Sequence, residues 1–151
     1  MDYVLSKTPE IKAMITSAPF IGLPKPPPAI VGLIAKAIRK ISAQATMKQP
    51  LTGDKISSIP DEQARYENDP LNHGQISFGL AVDAVEAGER VEANAARWSL
   101  PLLLMHAKGD QLTAFDKSAT FAETAKNVTF RAYENSEHEM HHDVARENVI
   151  A

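Results

Sequence analysis

The chain has no cysteine among its 151 residues. A disulfide framework, a thiolate metal site and a cysteine nucleophile are therefore excluded. Long hydrophobic runs are also missing, and no stretch approaches the roughly 20 apolar residues of a membrane span. The N-terminal Met1-Asp2-Tyr3-Val4-Leu5 has no basic segment followed by a long apolar core, so no signal peptide is read there. Neither sign of charge dominates: 16 Lys and Arg are mixed with 19 Asp and Glu for a net charge of −3. Without a basic block there is no footprint for a phosphate backbone, and no nucleic-acid partner is expected. The remaining composition, 44% hydrophobic and 23% charged, is that of an ordinary globular protein. An intact domain of this length buries roughly 68–70% of its unfolded surface. The lack of cysteine is compatible with a cytoplasmic location, which is the expectation.

Hydrophobic patterning divides the chain into alternating elements. Met1 to Lys7 reads as the last turns of a helix closed by Thr8-Pro9, as in a chain cut within a helix or in some whole domains. Ile11 to Ile15 is a short apolar run that predicts a buried strand, ended by Ser17-Ala18-Pro19. Leu23 to Pro28 carries four prolines and suits a stiff connector. Ala29 to Ala45 predicts an amphipathic helix, with Ile30, Leu33, Ile34, Ala37, Ile38 and Ile41 on one face and Lys36, Arg39 and Lys40 opposite. Gln49 to Pro60 is polar and turn-rich, and Asp61 is a good N-cap for a short helix through Tyr66.

Gln75 to Asn94 reads as helix, either continuous or in two pieces meeting near Gly88. Leu100 to His106 is a continuous apolar run and the clearest strand. A helix over Asp116–Ala125, a strand over Val128–Tyr133 and a helix over His142–Ile150 complete the order. Three strands alternating with helices predict an α/β fold with a parallel sheet.

Two polar groups fall at the ends of predicted strands. Asp110 follows one in the turn Lys108-Gly109-Asp110, and His138 follows another. In open α/β sheets, ligand sites lie outside the carboxyl ends of the strands, so neighbouring parallel strands would bring these side chains together. A carboxylate beside an imidazole fixes its tautomer and stabilises the imidazolium, as a general base requires. Taken singly, each residue has a plainer reading. An Asp after Gly is most often a turn or capping residue, and a His in a polar loop is usually solvated.

His138-Glu139-Met140-His141-His142 also matches H-E-x-x-H. On one helix, His138 and His142 would ligate zinc and Glu139 would serve as base, with His73, His106 or a carboxylate as third ligand. Asn135-Ser136 just before the motif argues for a loop instead.

Several pieces together resemble the C-terminal half of an α/β-hydrolase of the monoacylglycerol lipase, or lysophospholipase-like, group. They are Ile15-Thr16-Ser17-Ala18-Pro19, Asn68-Asp69-Pro70-Leu71, Leu100-Pro101-Leu102-Leu103-Leu104-Met105-His106 with Gly109-Asp110, and Tyr133-Glu134 leading to His138-Glu139. The resemblance implies a carboxylic ester hydrolase (lipase or esterase) with a Ser-Asp-His triad, in which Asp110 is the catalytic acid and His138 the base. It implies no cofactor and no metal.

It also divides the chain. Residues 1–19 would end a helix and add a core strand, 20–90 would be a helical cap or lid over the acyl pocket, and 91–151 would complete the core. The expected substrate is an acyl ester or lipid. The amphipathic helix could then touch lipid, giving peripheral contact with a membrane; ordinary core packing is the other reading of that helix.

One departure is serious. The group carries its nucleophile in G-x-S-x-G, and no such pentapeptide occurs here. The His-Gly oxyanion motif expected near the N-terminus is missing as well. Gly74-Gln75-Ile76-Ser77-Phe78-Gly79 has the wrong spacing to replace the elbow. The chain therefore reads as part of a serine hydrolase, inactive alone, that needs a missing N-terminal half or associates with itself. A zinc peptidase-like site and a non-enzymatic binding domain reusing half a hydrolase fold are the alternatives.

Overall fold

The computed structural model describes residues 1–49 and 51–150. Pro50, within the turn-rich stretch, and Ala151, at the end of the expected core segment, lie outside the described residues. A three-stranded parallel sheet forms the base of the fold. Its strands are β1 (Met14–Ser17), β4 (Leu102–Ala107) and β5 (Val128–Tyr133), in the order β1-β4-β5. The central strand β4 is apolar on both faces, as the middle of a parallel sheet requires.

One face of the sheet carries the main core. Leu102 and Leu104 pack there with Ile21, Val91, Ala95, Trp98 and Phe121. Trp98 is fully buried, meets Phe121 edge-on at 5.7 Å and donates its indole N–H to the Leu100 carbonyl at 2.7 Å. That bond removes the penalty of burying a polar indole. On the other face Met105, Ala107 and Tyr133 pack against Met140 and Ala145. This second core covers only the carboxyl end of the sheet: Ile15, on the edge strand, stays 69% exposed.

The helices are α1 (Asp2–Lys7), α2 (Ala29–Ile41), α3 (Gly53–Ile56), α4 (Pro60–Asn68), α5 (Phe78–Ala93), α6 (Phe115–Thr124) and α7 (Arg146–Ile150). α1 stops at Thr8, which turns left-handed at φ 43° and donates its N–H to Val4. α4 starts with Pro60 in its first turn after Ile59, so Asp61 lies inside the helix instead of capping it. α6 begins at Phe115, one residue before Asp116.

Several expectations shift for tertiary reasons. The first strand begins at Met14 instead of Ile11, because its register is set by β4: Met14 pairs with Leu102 and Ser17 with Met105. α2 ends at Ile41, and the residues after it turn into a short strand, β2 (Thr46–Lys48). β2 pairs antiparallel with β3 (Gln75–Ser77), the segment read as the start of a helix. Ser77 closes β3 and caps α5, its hydroxyl accepting from the Leu80 N–H at 3.1 Å.

α5 then runs unbroken through Gly88. That glycine is needed for packing, since a Cβ there would lie 2.4 Å from the Ile21 carbonyl oxygen. Finally, no continuous helix starts at His142. Met140–His142 is a single 3-10 turn, Asp143 is extended, and α7 begins only at Arg146.

The segment between β1 and β4 is largely helical. Within it α2 packs on α5 through Lys36–Glu86, Arg39–Asp83 and Arg39–Glu86 ion pairs. The far end of α5 belongs to the main core through Val91 and pairs Arg90 with Asp2. α2 itself buries no residue, and Ile30, Val31, Leu33, Ile34 and Ile41 are all exposed. Core packing therefore does not account for its apolar stripe. No helix among the described residues is long and apolar enough to cross a membrane.

Candidate active site

The site lies at the carboxyl ends of β4 and β5, which are paired from Leu102–Val128 through Ala107–Tyr133. Each strand is followed by a tight turn. After β4, Lys108-Gly109 leads to Asp110. After β5, Asn135 adopts φ 55°, a left-handed conformation that Asn tolerates well, and the loop continues to His138. The two turns nearly touch: a Cβ on Gly109 would lie 2.6 Å from the Ser136 carbonyl oxygen. Only glycine lets the Asp110 turn come this close to the loop that carries His138.

Asp110 and His138 meet there. Asp110 Oδ2 lies 2.8 Å from His138 Nδ1. The Asp110 side chain is completely buried, while His138 keeps 27% of its side chain open to solvent. The carboxylate accepts five hydrogen bonds in all. Oδ1 takes the backbone N–H groups of Leu112 and Thr113 at 2.7 and 2.9 Å, and Oδ2 takes the Thr113 hydroxyl at 2.7 Å, His106 Nε2 at 3.1 Å and His138. Burial alone would raise its pKa, but the donors from His106, His138 and Thr113 outweigh it and hold the group far below the ordinary carboxylate range.

The donors fix the ring tautomers. An ionised carboxylate can only accept, so His138 donates from Nδ1 and His106 from Nε2. His106 Nδ1 is then an acceptor for the Ser118 hydroxyl at 2.8 Å. Ser118 and His106 are both fully buried, so a satisfied chain runs from Ser118 through His106 to Asp110. For His138, protonation at Nδ1 leaves Nε2 with a free lone pair. That is the atom a general base uses.

The loop after β5 is pinned by the helical segment. The backbone N–H groups of His138 and Glu139 donate to the carbonyls of Lys55 and Ile56 at 3.4 and 2.9 Å. The Ser57 hydroxyl donates to the His142 carbonyl at 2.8 Å. Buried Asp143 accepts from the Ser58 hydroxyl, from Glu137 N–H at 2.7 Å and from Val144 N–H at 2.8 Å. Burial opposes ionisation of Asp143, yet the bonds from Glu137, Ser58 and Val144 carry its pKa below the usual value.

Sequence reading paired Asp110 with His138 but passed over Thr113, Ser118, Ser57, Ser58 and Asp143. It named His106 only as a spare zinc ligand. Their roles arise from contacts between distant segments. The one local signal was His106 four residues before Asp110 at the end of an apolar strand.

The H-E-x-x-H arrangement is not realised as in a zinc peptidase. His138 sits in a loop, and only Met140–His142 coils, as a 3-10 turn. His138 and His142 therefore do not stand one turn apart on an α-helix. His142 Nδ1 pairs instead with Glu139 Oε2 at 2.7 Å.

The Hydrolase_4 family, described as serine aminopeptidase S33, matches residues 1–145. The chain is 24% identical over 144 residues to the monoacylglycerol lipase of Mycolicibacterium smegmatis, covering 93% of this chain and 51% of that protein. It is 31% identical over 104 residues to an uncharacterized abhydrolase domain-containing protein of Dictyostelium discoideum, covering 67% of this chain and 11% of that one. The crystal structure of Paleococcus ferrophilus monoacylglycerol lipase superposes with a TM-score of 0.88 at 25% identity, over 97% of this chain and 58% of that one. A soluble variant of monoglyceride lipase from Saccharomyces cerevisiae, in complex with a substrate analog, gives a TM-score of 0.82 at 20% identity, over 99% and 54%. The chain thus spans about half the length of the lipases it matches. With a parallel α/β sheet of this kind and a family match over nearly all its residues, the chain belongs to the serine aminopeptidase S33 (Hydrolase_4) family, within the monoacylglycerol lipase-like group of the α/β-hydrolases.

Proposed function

We propose that this chain supplies the acid and base of a Ser-Asp-His hydrolase acting on carboxylic esters of the monoacylglycerol or lysophospholipid type. The observation that carries the reading is the 2.8 Å contact between Asp110 Oδ2 and His138 Nδ1, with Asp110 buried and saturated by donors. In this reading His138 Nε2 takes the proton of a serine hydroxyl as it attacks the ester carbonyl. It then gives that proton to the leaving alcohol, and repeats the cycle with water to release the acid. Asp110 orients the ring and stabilises the imidazolium without taking the proton.

The serine and the oxyanion donors come from polypeptide outside these 151 residues, since the sequence holds no G-x-S-x-G. Losing a serine nucleophile costs about 10⁶ in turnover, and the oxyanion hole would normally retain about 10³–10⁴ over water. Here that remainder is lost too.

Residues 20–90 act in this proposal as the cap over the acyl pocket. Two observations support it: the apolar stripe of α2 is exposed, and α3 with the residues after it grips the His138 loop. An exposed apolar helix face of this kind suits an acyl chain or a lipid surface, and so peripheral contact with a membrane.

The test is ester hydrolysis and labelling by a serine-directed phosphonate. The chain alone should show neither. A fusion that places the nucleophile-bearing half of a monoacylglycerol lipase ahead of Met1 should show both. Stoichiometric labelling of a serine in the chain alone would overturn the proposal.

A further inference from the structure

We infer that Glu139, His141 and His142 form a binding site for a divalent transition ion of the zinc class, separate from the Asp110–His138 pair. One donor atom from each of the three residues falls in a cluster whose members all lie within 4.8 Å of one another. A tetrahedral zinc ion with ligands at about 2.0–2.2 Å spaces its donor atoms about 3.3–3.6 Å apart, so the span of up to 4.8 Å closes and the 2.7 Å pair of His142 and Glu139 opens around the ion. Two imidazoles and one carboxylate suit zinc, copper or nickel better than calcium or magnesium, which prefer oxygen alone.

The backbone beneath this cluster is already fixed. Met140, between the ligands, is fully buried in the second core. Glu139 N–H is held by the Ile56 carbonyl, the His142 carbonyl by the Ser57 hydroxyl, and the following Asp143 by three donors. The loop has therefore lost most of its freedom before an ion arrives, which lowers the cost of binding. The side chains themselves reach solvent: His141 is exposed, and Glu139 and His142 keep 35% and 37% of their side chains open. The ion displaces the 2.7 Å contact between His142 Nδ1 and Glu139 Oε2. Three protein ligands leave at least one position for water.

The assignment differs from a zinc-peptidase centre in its ligands. Glu139 is a ligand instead of a base, and His138 takes no part. Occupancy ties together the residues that immediately follow His138 and so holds the loop presenting it.

Calorimetric titration of the whole chain with Zn²⁺, alongside its melting temperature, tests the site. Co²⁺ absorption serves as a second probe. One ion should bind per chain and raise the melting temperature, since an ion that binds only the folded state stabilises it. Substituting an outer-shell partner of a metal ligand already costs about 10–100-fold, so Glu139→Gln, His141→Ala and His142→Ala should each weaken binding at least tenfold. His138→Ala and His73→Ala should bind as the parent does. Unchanged affinity in the His141→Ala, His142→Ala double variant would overturn the site, as would loss of binding in His138→Ala. So would the absence of heat and of any melting shift up to about 1 mM ion.

Discussion

Asp110 Oδ2 and His138 Nδ1 lie 2.8 Å apart although 28 residues separate them in the chain. The separation covers β5 and α6, one crossover of a parallel sheet. The contact therefore depends on β4 and β5 being neighbours. In a lipase fusion that restores the nucleophile, Asp110→Asn should lower kcat by about 10⁴, because the wrong tautomer is favoured. His138→Ala should cost about 10⁶. Rates within tenfold of the parent for either variant would remove that residue from the proposed triad.

The saturated carboxylate also makes stability depend on pH. Asp110 is held below its ordinary pKa, so its contribution is fully present above the unfolded value of about 3.9 and is lost as pH falls below it. Denaturant melts of the chain at pH 7 and near pH 3 should show stability falling with acid. Asp110→Asn should be less stable at pH 7 by about 2–3 kcal/mol, the scale of a buried charged hydrogen bond, and should lose part of the acid sensitivity. An equally steep pH profile in the variant would show that other carboxylates govern the transition.

Asp143 joins the His138 loop to the helical segment through Glu137, Ser58 and Val144. Asp143→Ala should cost about 1–3 kcal/mol, since it leaves buried donors without an acceptor. Limited proteolysis should then cut faster between residues 137 and 143. Ser58→Ala, which removes one donor, should cost less in the same melts. A reversed order would place the strength of the joint elsewhere.

The sheet edge carries a liability. β1 is an edge strand; Ile15 on it is exposed, as is Ile11 in the loop before it. An open edge beside apolar side chains invites association. Sedimentation should show the chain self-associating or aggregating, and Ile15→Glu should reduce it. A clean monomer with a cooperative, high melting transition would show that the edge is adequately protected as it stands.

Sequence alone determined the fold class and the pairing of Asp110 with His138. Leu102–Ala107 is apolar at every position except His106, as a strand buried on both faces requires, and the strand–helix–strand order from there implies a parallel neighbour. The order also places Asp110 and His138 at the same end of the sheet. Only tertiary structure decided the rest. Gln75–Ser77 became a strand because Thr46–Lys48 was there to pair with it, an outcome no local propensity contains.

Helix formation at His142 was interrupted because Asp143 spends its carboxylate on Ser58 and Glu137, residues that sequence reading had no reason to bring together. His106 and Thr113 became partners of Asp110, and Ser118 the partner of His106, for the same reason: a buried charge must be satisfied, and which donors do so is settled by packing. The ambiguous His138–His142 motif was resolved in the same way. Asp110 claims His138, and the 3-10 turn leaves Glu139, His141 and His142 clustered apart from it.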